Sequence, residues 1–115
     1  MKLALPQIAI CTAFLLTGAV LAWAQGDAKD LYLSKCATCH GADGAGKPPI
    51  LPALWGPDSY NDGAGMNQVP KMAAFVQHNM PQNHPGVLTA QEAYDVSTFV
   101  AAKPHSPFDA AFKNY

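Results

Sequence analysis

Apolar positions run almost unbroken from Ile8 to Leu21 behind Met1 and Lys2, and give way at Ala22-Trp23-Ala24 to polar Gln25-Gly26-Asp27. A basic start, an apolar stretch and an A-x-A ending predict a secretory signal peptide over residues 1–24, cleaved after Ala24. Read back to Leu3, the stretch approaches the ~20 residues of a spanning helix, so an uncleaved N-terminal anchor is the alternative. Pro6, Thr12, Thr17 and Gly18 weaken that reading. Cys11 follows the bulky Ile10, which does not suit lipid attachment, and it stays a part of the signal.

Past residue 24 the pattern becomes helical in pieces. Asp27 to Lys35 has an N-cap candidate in Asp27, an acid in the first turn and a lysine near the end, and predicts a first helix leading into Cys36. Residues 41–69 hold six glycines and four prolines and predict an irregular loop. A loop of that length is suspect in a compact domain unless it has a function, such as wrapping a cofactor. Pro70 suits a first helical position, and a second helix runs on to Asn79, stopped because Pro81 disfavours helix at Met80. Thr89-x-x-Glu92 is a capping box opening a third helix from Ala90 to about Ala102, with Ala93, Val96, Ser97 and Val100 on one face and Pro104 beyond its end. Tyr94 and Phe99 read as packing aromatics. The expected fold is all-α, with about three main helices and long loops, in one domain over residues 25–115.

Composition narrows the function. The chain of 115 residues has seven cationic residues, all lysine, against eight acids, for a net charge of −1. With no cluster of like charge, a nucleic-acid partner is excluded. Removing 24 of the 115 residues leaves 91, with six lysines against the eight acids and a net charge of −2. A domain of about 90 residues buries only a modest share of its surface, so a large apolar cofactor would complete the core.

Of the three cysteines, Cys36 and Cys39 lie in Cys36-Ala37-Thr38-Cys39-His40, the C-x-x-C-H attachment pattern of c-type haem. Two residues between thiols on a helical turn let both sulfurs reach one porphyrin, and the adjacent His40 lies under the iron as its proximal ligand. Three other readings compete. A thioredoxin-like dithiol needs strands around a helix, and none is visible after His40. A zinc site of Cys36, Cys39, His78 and His84 requires an unusually long gap and leaves His40 unexplained. A Cys36–Cys39 disulfide closes too short a loop to stabilise much.

The second axial ligand is to be found among Met66, Met72, Met80, His78, His84 and His105. Met72 lies inside the second helix and reads as packing. Met80 has the best context, because Asn79-Met80-Pro81 leaves a helix for an extended strap; Met66 and the histidines remain alternatives. His40/Met80 ligation predicts a raised reduction potential, since a thioether favours ferrous iron more than a second imidazole does.

With a helix into C-A-T-C-H-G, a Gly-rich loop, a Met strap and a final helix, the chain resembles class I cytochrome c over nearly all of residues 25–115. More narrowly, Leu54-Trp55-Gly56-Pro57-Asp58-Ser59-Tyr60-Asn61-Asp62-Gly63-Ala64-Gly65-Met66, Asn79-Met80-Pro81 and Gln91-Glu92-Ala93-Tyr94-Asp95-Val96 are similar to the cytochrome domains of the thiosulfate dehydrogenase family. The resemblance implies that Pro52, in Pro52-Ala53-Leu54-Trp55-Gly56, offers its carbonyl to His40, that Leu54 packs on the haem ring, and that Tyr60 and Asn61 shield the propionates. A carbonyl so placed fixes the imidazole tautomer and raises its basicity. The thiosulfate-oxidising members carry two haems, the catalytic one with a cysteine ligand, whereas residues 25–115 hold one C-x-x-C-H and no spare cysteine.

The function expected is therefore electron transfer by an exported, periplasmic protein carrying one covalent haem c, with iron held by His40 and Met80 and no catalytic residue. Its partners are redox proteins: a dehydrogenase as donor, and an oxidase or another cytochrome as acceptor. A monohaem peroxidase or sulfur-compound oxidoreductase is the enzymatic alternative, and would need an open sixth position. A subunit docked to a dehydrogenase is the third reading, with the apolar tail from Phe108 to Tyr115 as its contact, against a tail that is frayed or packed on its own domain.

Overall fold

A computed structural model describes residues 27–108. The segment expected to be a signal peptide, with Cys11, and the tail beyond Phe108 lie outside the described residues.

Helix α1 covers residues 27–35 and turns Ala28 and Tyr32, four apart and so on one face, into the interior. Residue 27 is already helical, so Asp27 is not the N-cap expected of it. The one-turn helix α2, Ala37–His40, follows directly, with Cys36 as its N-cap. Helix α3, Val69–Asn79, starts with proline in its first turn and ends at Met80, whose extended backbone (φ −119°, ψ 146°) reflects the proline that follows. Helix α4, Ala90–Ala101, opens on the predicted capping box. The Glu92 N–H donates to Thr89 Oγ1 at 3.1 Å, and the Thr89 N–H donates to Glu92 Oε2 at 2.8 Å. Its inward face is Ala93, Val96, Ser97 and Val100, and it packs against α3.

The buried cluster is small, consisting of Tyr32, Met72, Val96 and Val100. An aromatic set extends it. Tyr32 lies 5.0 Å from Trp55 and 5.6 Å from Phe99 between ring centroids, Trp55 meets Phe99 edge-on at 6.1 Å, and Lys103 Nζ sits 4.2 Å over the Phe99 ring. These contacts tie α1, the loop after α2 and α4 together. Phe99 thus packs as expected, but Tyr94 does not: it is 47% exposed.

The fold is helical in the main without being all-α. Strand β1, Gly56–Asn61, pairs in parallel with β2, His105–Ser106. The Gly56 N–H donates to the Pro104 carbonyl at 2.8 Å and the Asp62 N–H to the Ser106 carbonyl at 2.9 Å. Neither segment has the alternating β-branched pattern of a strand; pairing with chain more than forty residues away creates it. The rest of the expected loop is also structured, with an antiparallel bridge between Lys47 and Leu51 and a 3₁₀ turn at Gly65–Asn67. Among the described residues no helix is long and apolar enough to cross a membrane.

Candidate haem site

Helix α1 delivers the motif. The Cys36 N–H closes the last turn on the Tyr32 carbonyl at 2.8 Å, and the Cys36 carbonyl accepts from the Cys39 and His40 N–H groups at 3.2 and 2.9 Å. No disulfide joins Cys36, which is half-buried, to Cys39, which is exposed. Before a cofactor is attached, burial pushes the Cys36 thiol up to about 11. The Tyr32 hydroxyl donates to the Gly41 carbonyl at 2.7 Å, anchoring the end of α2. Burial first, and then the nearby Cys36 and Asp43, hold that phenol above its ordinary range.

The loop after α2 folds back onto His40. The Gly46 N–H donates to the His40 carbonyl at 2.8 Å, the Lys47–Leu51 bridge turns the chain, and the Leu54 N–H donates to the Gly44 carbonyl at 2.7 Å. This path sets the Pro52 carbonyl 2.8 Å from His40 Nδ1. A carbonyl only accepts, so Nδ1 carries the proton and Nε2 keeps a free lone pair, as a metal ligand requires.

The remaining candidates fall into distinct places. Met72 is buried in the core. Met80 is half-buried immediately past α3, whereas Met66, His78 and His84 are exposed. Leu54 and Tyr60 are partly buried against the core cluster, and burial pushes the Tyr60 phenol up to about 12. Asn61 is half-buried, and its side-chain oxygen accepts from the Gly63 N–H at 3.0 Å. His105, weighed only as a ligand, instead stacks on Tyr60 with ring centroids 4.3 Å apart. Its Nδ1 lies 3.1 Å from Ser59 Oγ, and its Nε2 lies 3.1 Å from the Val100 carbonyl. Sequence reasoning missed this contact, and no local signal marks it, because its partners are 45 and 46 residues apart.

Among the described residues no three of His, Cys, Asp or Glu gather closely enough to hold a metal ion, so the zinc reading built on Cys36, Cys39, His78 and His84 is not supported. A haem fits the arrangement better. Two cysteines stand at attachment spacing, one imidazole nitrogen is unspent, and a small core cluster leaves apolar side chains such as Leu54 and Val76 only partly covered.

An imidazole beside a thiol pair, backed by a carbonyl and followed by a helical frame, is the arrangement of a c-type cytochrome. Residues 24–100 match the family described as cytochrome C oxidase, cbb3-type, subunit III, and the chain belongs to that family of class I c-type cytochromes. The thiosulfate dehydrogenase of Allochromatium vinosum is 43% identical over 83 residues, covering 68% of this chain and 31% of that protein. The thiosulfate dehydrogenase of Stutzerimonas stutzeri is 38% identical over 85 residues, covering 69% and 28%. The solved structure of thiosulfate dehydrogenase (TsdBA) from Marichromatium purpuratum, in its as-isolated form, superposes with a TM-score of 0.66 at 41% identity. It covers 79% of this chain and 20% of that one. The chain thus spans about a third or less of the length of these relatives. It is a cytochrome c domain related to thiosulfate dehydrogenases, and it carries covalently bound haem c.

Proposed function

We propose that the protein is an exported one-electron carrier of the periplasm, made of residues 25–115 after loss of the signal segment, with His40 and Met80 as axial ligands. The observation that carries this reading is the placement of Met80. It is half-buried in extended chain just past α3, while Met72 is used in the core and His105 in a hydrogen-bond network.

When bound, the haem supplies a one-electron iron couple, and a thioether ligand biases it toward the ferrous form. Every other part falls to the chain. Cys36 and Cys39 tether the group, and Pro52 holds His40 with its Nε2 lone pair outward. Leu54 would keep water from the group, Tyr60 would face its polar side, and Met80 would supply the second ligand to the iron. With both ligands drawn from the chain, no position would be left for a substrate, and the chain would carry electrons. Because relatives named thiosulfate dehydrogenase contain this domain as about a third of their length, a dehydrogenase of sulfur compounds is the donor we favour, with an oxidase or cytochrome as acceptor.

Spectroelectrochemical titration of the purified holoprotein tests this. Met80→Ala should lower the midpoint potential by a sizeable part of the about 0.8 V range that axial ligands command. It should also admit carbon monoxide or cyanide rapidly at neutral pH. An unchanged oxidised spectrum and potential would remove Met80 from the iron.

A further inference from the structure

The carbonyl that receives the His40 Nδ1 proton belongs to Pro52, twelve residues further on, so the chain between them has to hold it in place. Gly46 touches both ends of that bond. Its N–H donates to the His40 carbonyl at 2.8 Å, and the open side of its α-carbon faces the Pro52 carbonyl. The approach is so close that a Cβ on Gly46 would run into the Leu51 carbonyl oxygen. It would also stand 2.7 Å from the Pro52 carbonyl oxygen and 2.8 Å from its carbon. The turn is tied from behind as well: the Lys47 N–H donates to the Leu51 carbonyl at 2.7 Å and the Leu51 N–H to the Lys47 carbonyl at 3.0 Å. One residue thus secures the main chain of the donor and walls in the oxygen of the acceptor.

That oxygen has little room. At 2.8 Å its bond with Nδ1 lies near the short end of the favourable range for N–H···O, so displacement in any direction weakens it. A weaker bond leaves the imidazole less basic at Nε2, since the carbonyl no longer draws the Nδ1 proton as strongly.

We propose that Gly46 is a positioning residue, which by its lack of a side chain seats the Pro52 carbonyl on His40 and so sets how strongly His40 favours ferric iron. This rests on the carrier reading above, with His40 as a ligand. A more basic imidazole favours the more positive ferric state, so loosening the Nδ1 bond moves the balance toward ferrous. A general loosening of the fold acts the other way, because water reaching the iron favours the more highly charged form.

An equilibrium redox titration of the holoprotein and its variants tests this. A wild-type spectrum without an attached haem ligated by imidazole would sink the carrier reading and this proposal with it, whereas every later failure bears on Gly46 alone. Gly46→Ala should raise the reduced-to-oxidised ratio at a fixed potential by about threefold to tenfold, the range set by the net value of one hydrogen bond. The His40 Nδ1 proton of the ferrous protein should exchange with solvent faster in the same variant. Gly56→Ala, also on left-handed backbone but with open space around its Cβ, should leave both readings at their wild-type values. An unchanged or lowered ratio in Gly46→Ala, an unchanged exchange rate, or an equal rise in Gly56→Ala overturns the proposal. Should Gly46→Ala fail to fold, exchange in the wild type decides. The His40 Nδ1 proton and the Gly46 and Lys47 amide protons should then exchange at one rate, as groups freed by a single opening. An Nδ1 proton about tenfold faster than both amides would mean that the carbonyl moves independently of Gly46, and would overturn it.

Discussion

The 2.8 Å contact between His40 and Pro52 spans twelve residues, and its geometry depends on how tightly the intervening chain folds. Gly44 is one place where that folding is tight. It adopts φ +68°, and a Cβ there would lie 2.2–2.4 Å from three atoms of the Trp55 ring. Gly56 adopts φ +85°, but a Cβ on it would meet nothing within 4 Å. Gly44→Ala therefore combines left-handed strain with overpacking, for about 2–5 kcal/mol. Gly56→Ala carries the strain alone, about 1–2 kcal/mol. Denaturant unfolding of the two holoprotein variants checks the difference, and equal losses would mean that Trp55 moves aside freely. The roles of Cys36, Cys39 and His40 were legible in sequence because they share a single helical turn. Tyr60 and His105 were not legible as a pair, since only the closed fold brings residues 45 apart together.

Among the elements, those whose signals are local could be read. The proline in the first turn of α3, the capping box of α4 and the inward face Ala93–Val96–Ser97–Val100 all stand where the sequence places them. Thr89→Ala removes the side-chain acceptor for the Glu92 N–H and should cost about 1 kcal/mol, measured as a lowered unfolding midpoint. A cost near zero would mean that water or a neighbour satisfies that group equally well. The two strands escaped notice for the opposite reason. Gly-Pro-Asp-Ser-Tyr-Asn has the composition of a turn, and its extended form is imposed by the strap after α4.

For the molecule as a whole, two half-buried or buried phenols set an alkaline limit. The ordinary value of 10.0 for tyrosine applies to the unfolded chain, whereas burial raises Tyr60 to about 12 and Tyr32 higher still in the folded protein. Between those values the unfolded chain has released phenol protons that the folded one retains, so unfolding releases protons and stability falls as the pH rises. Below pH 10 these groups contribute no slope. Unfolding free energies measured from about pH 8 to about pH 12 should decline above pH 10, and Tyr60→Phe should flatten part of that decline. A flat profile in the wild type would contradict the burial of both rings.

The half-burial of Cys36 bears on the durability of the cofactor linkage. The residue packs against the Tyr32, Met72, Val96 and Val100 cluster, while Cys39 is exposed. A sulfur held among apolar side chains is shielded from dissolved reagents, and an exposed one is not. Of the two tethers, the one at Cys39 is therefore the more open to chemical attack, and the fold itself guards the other.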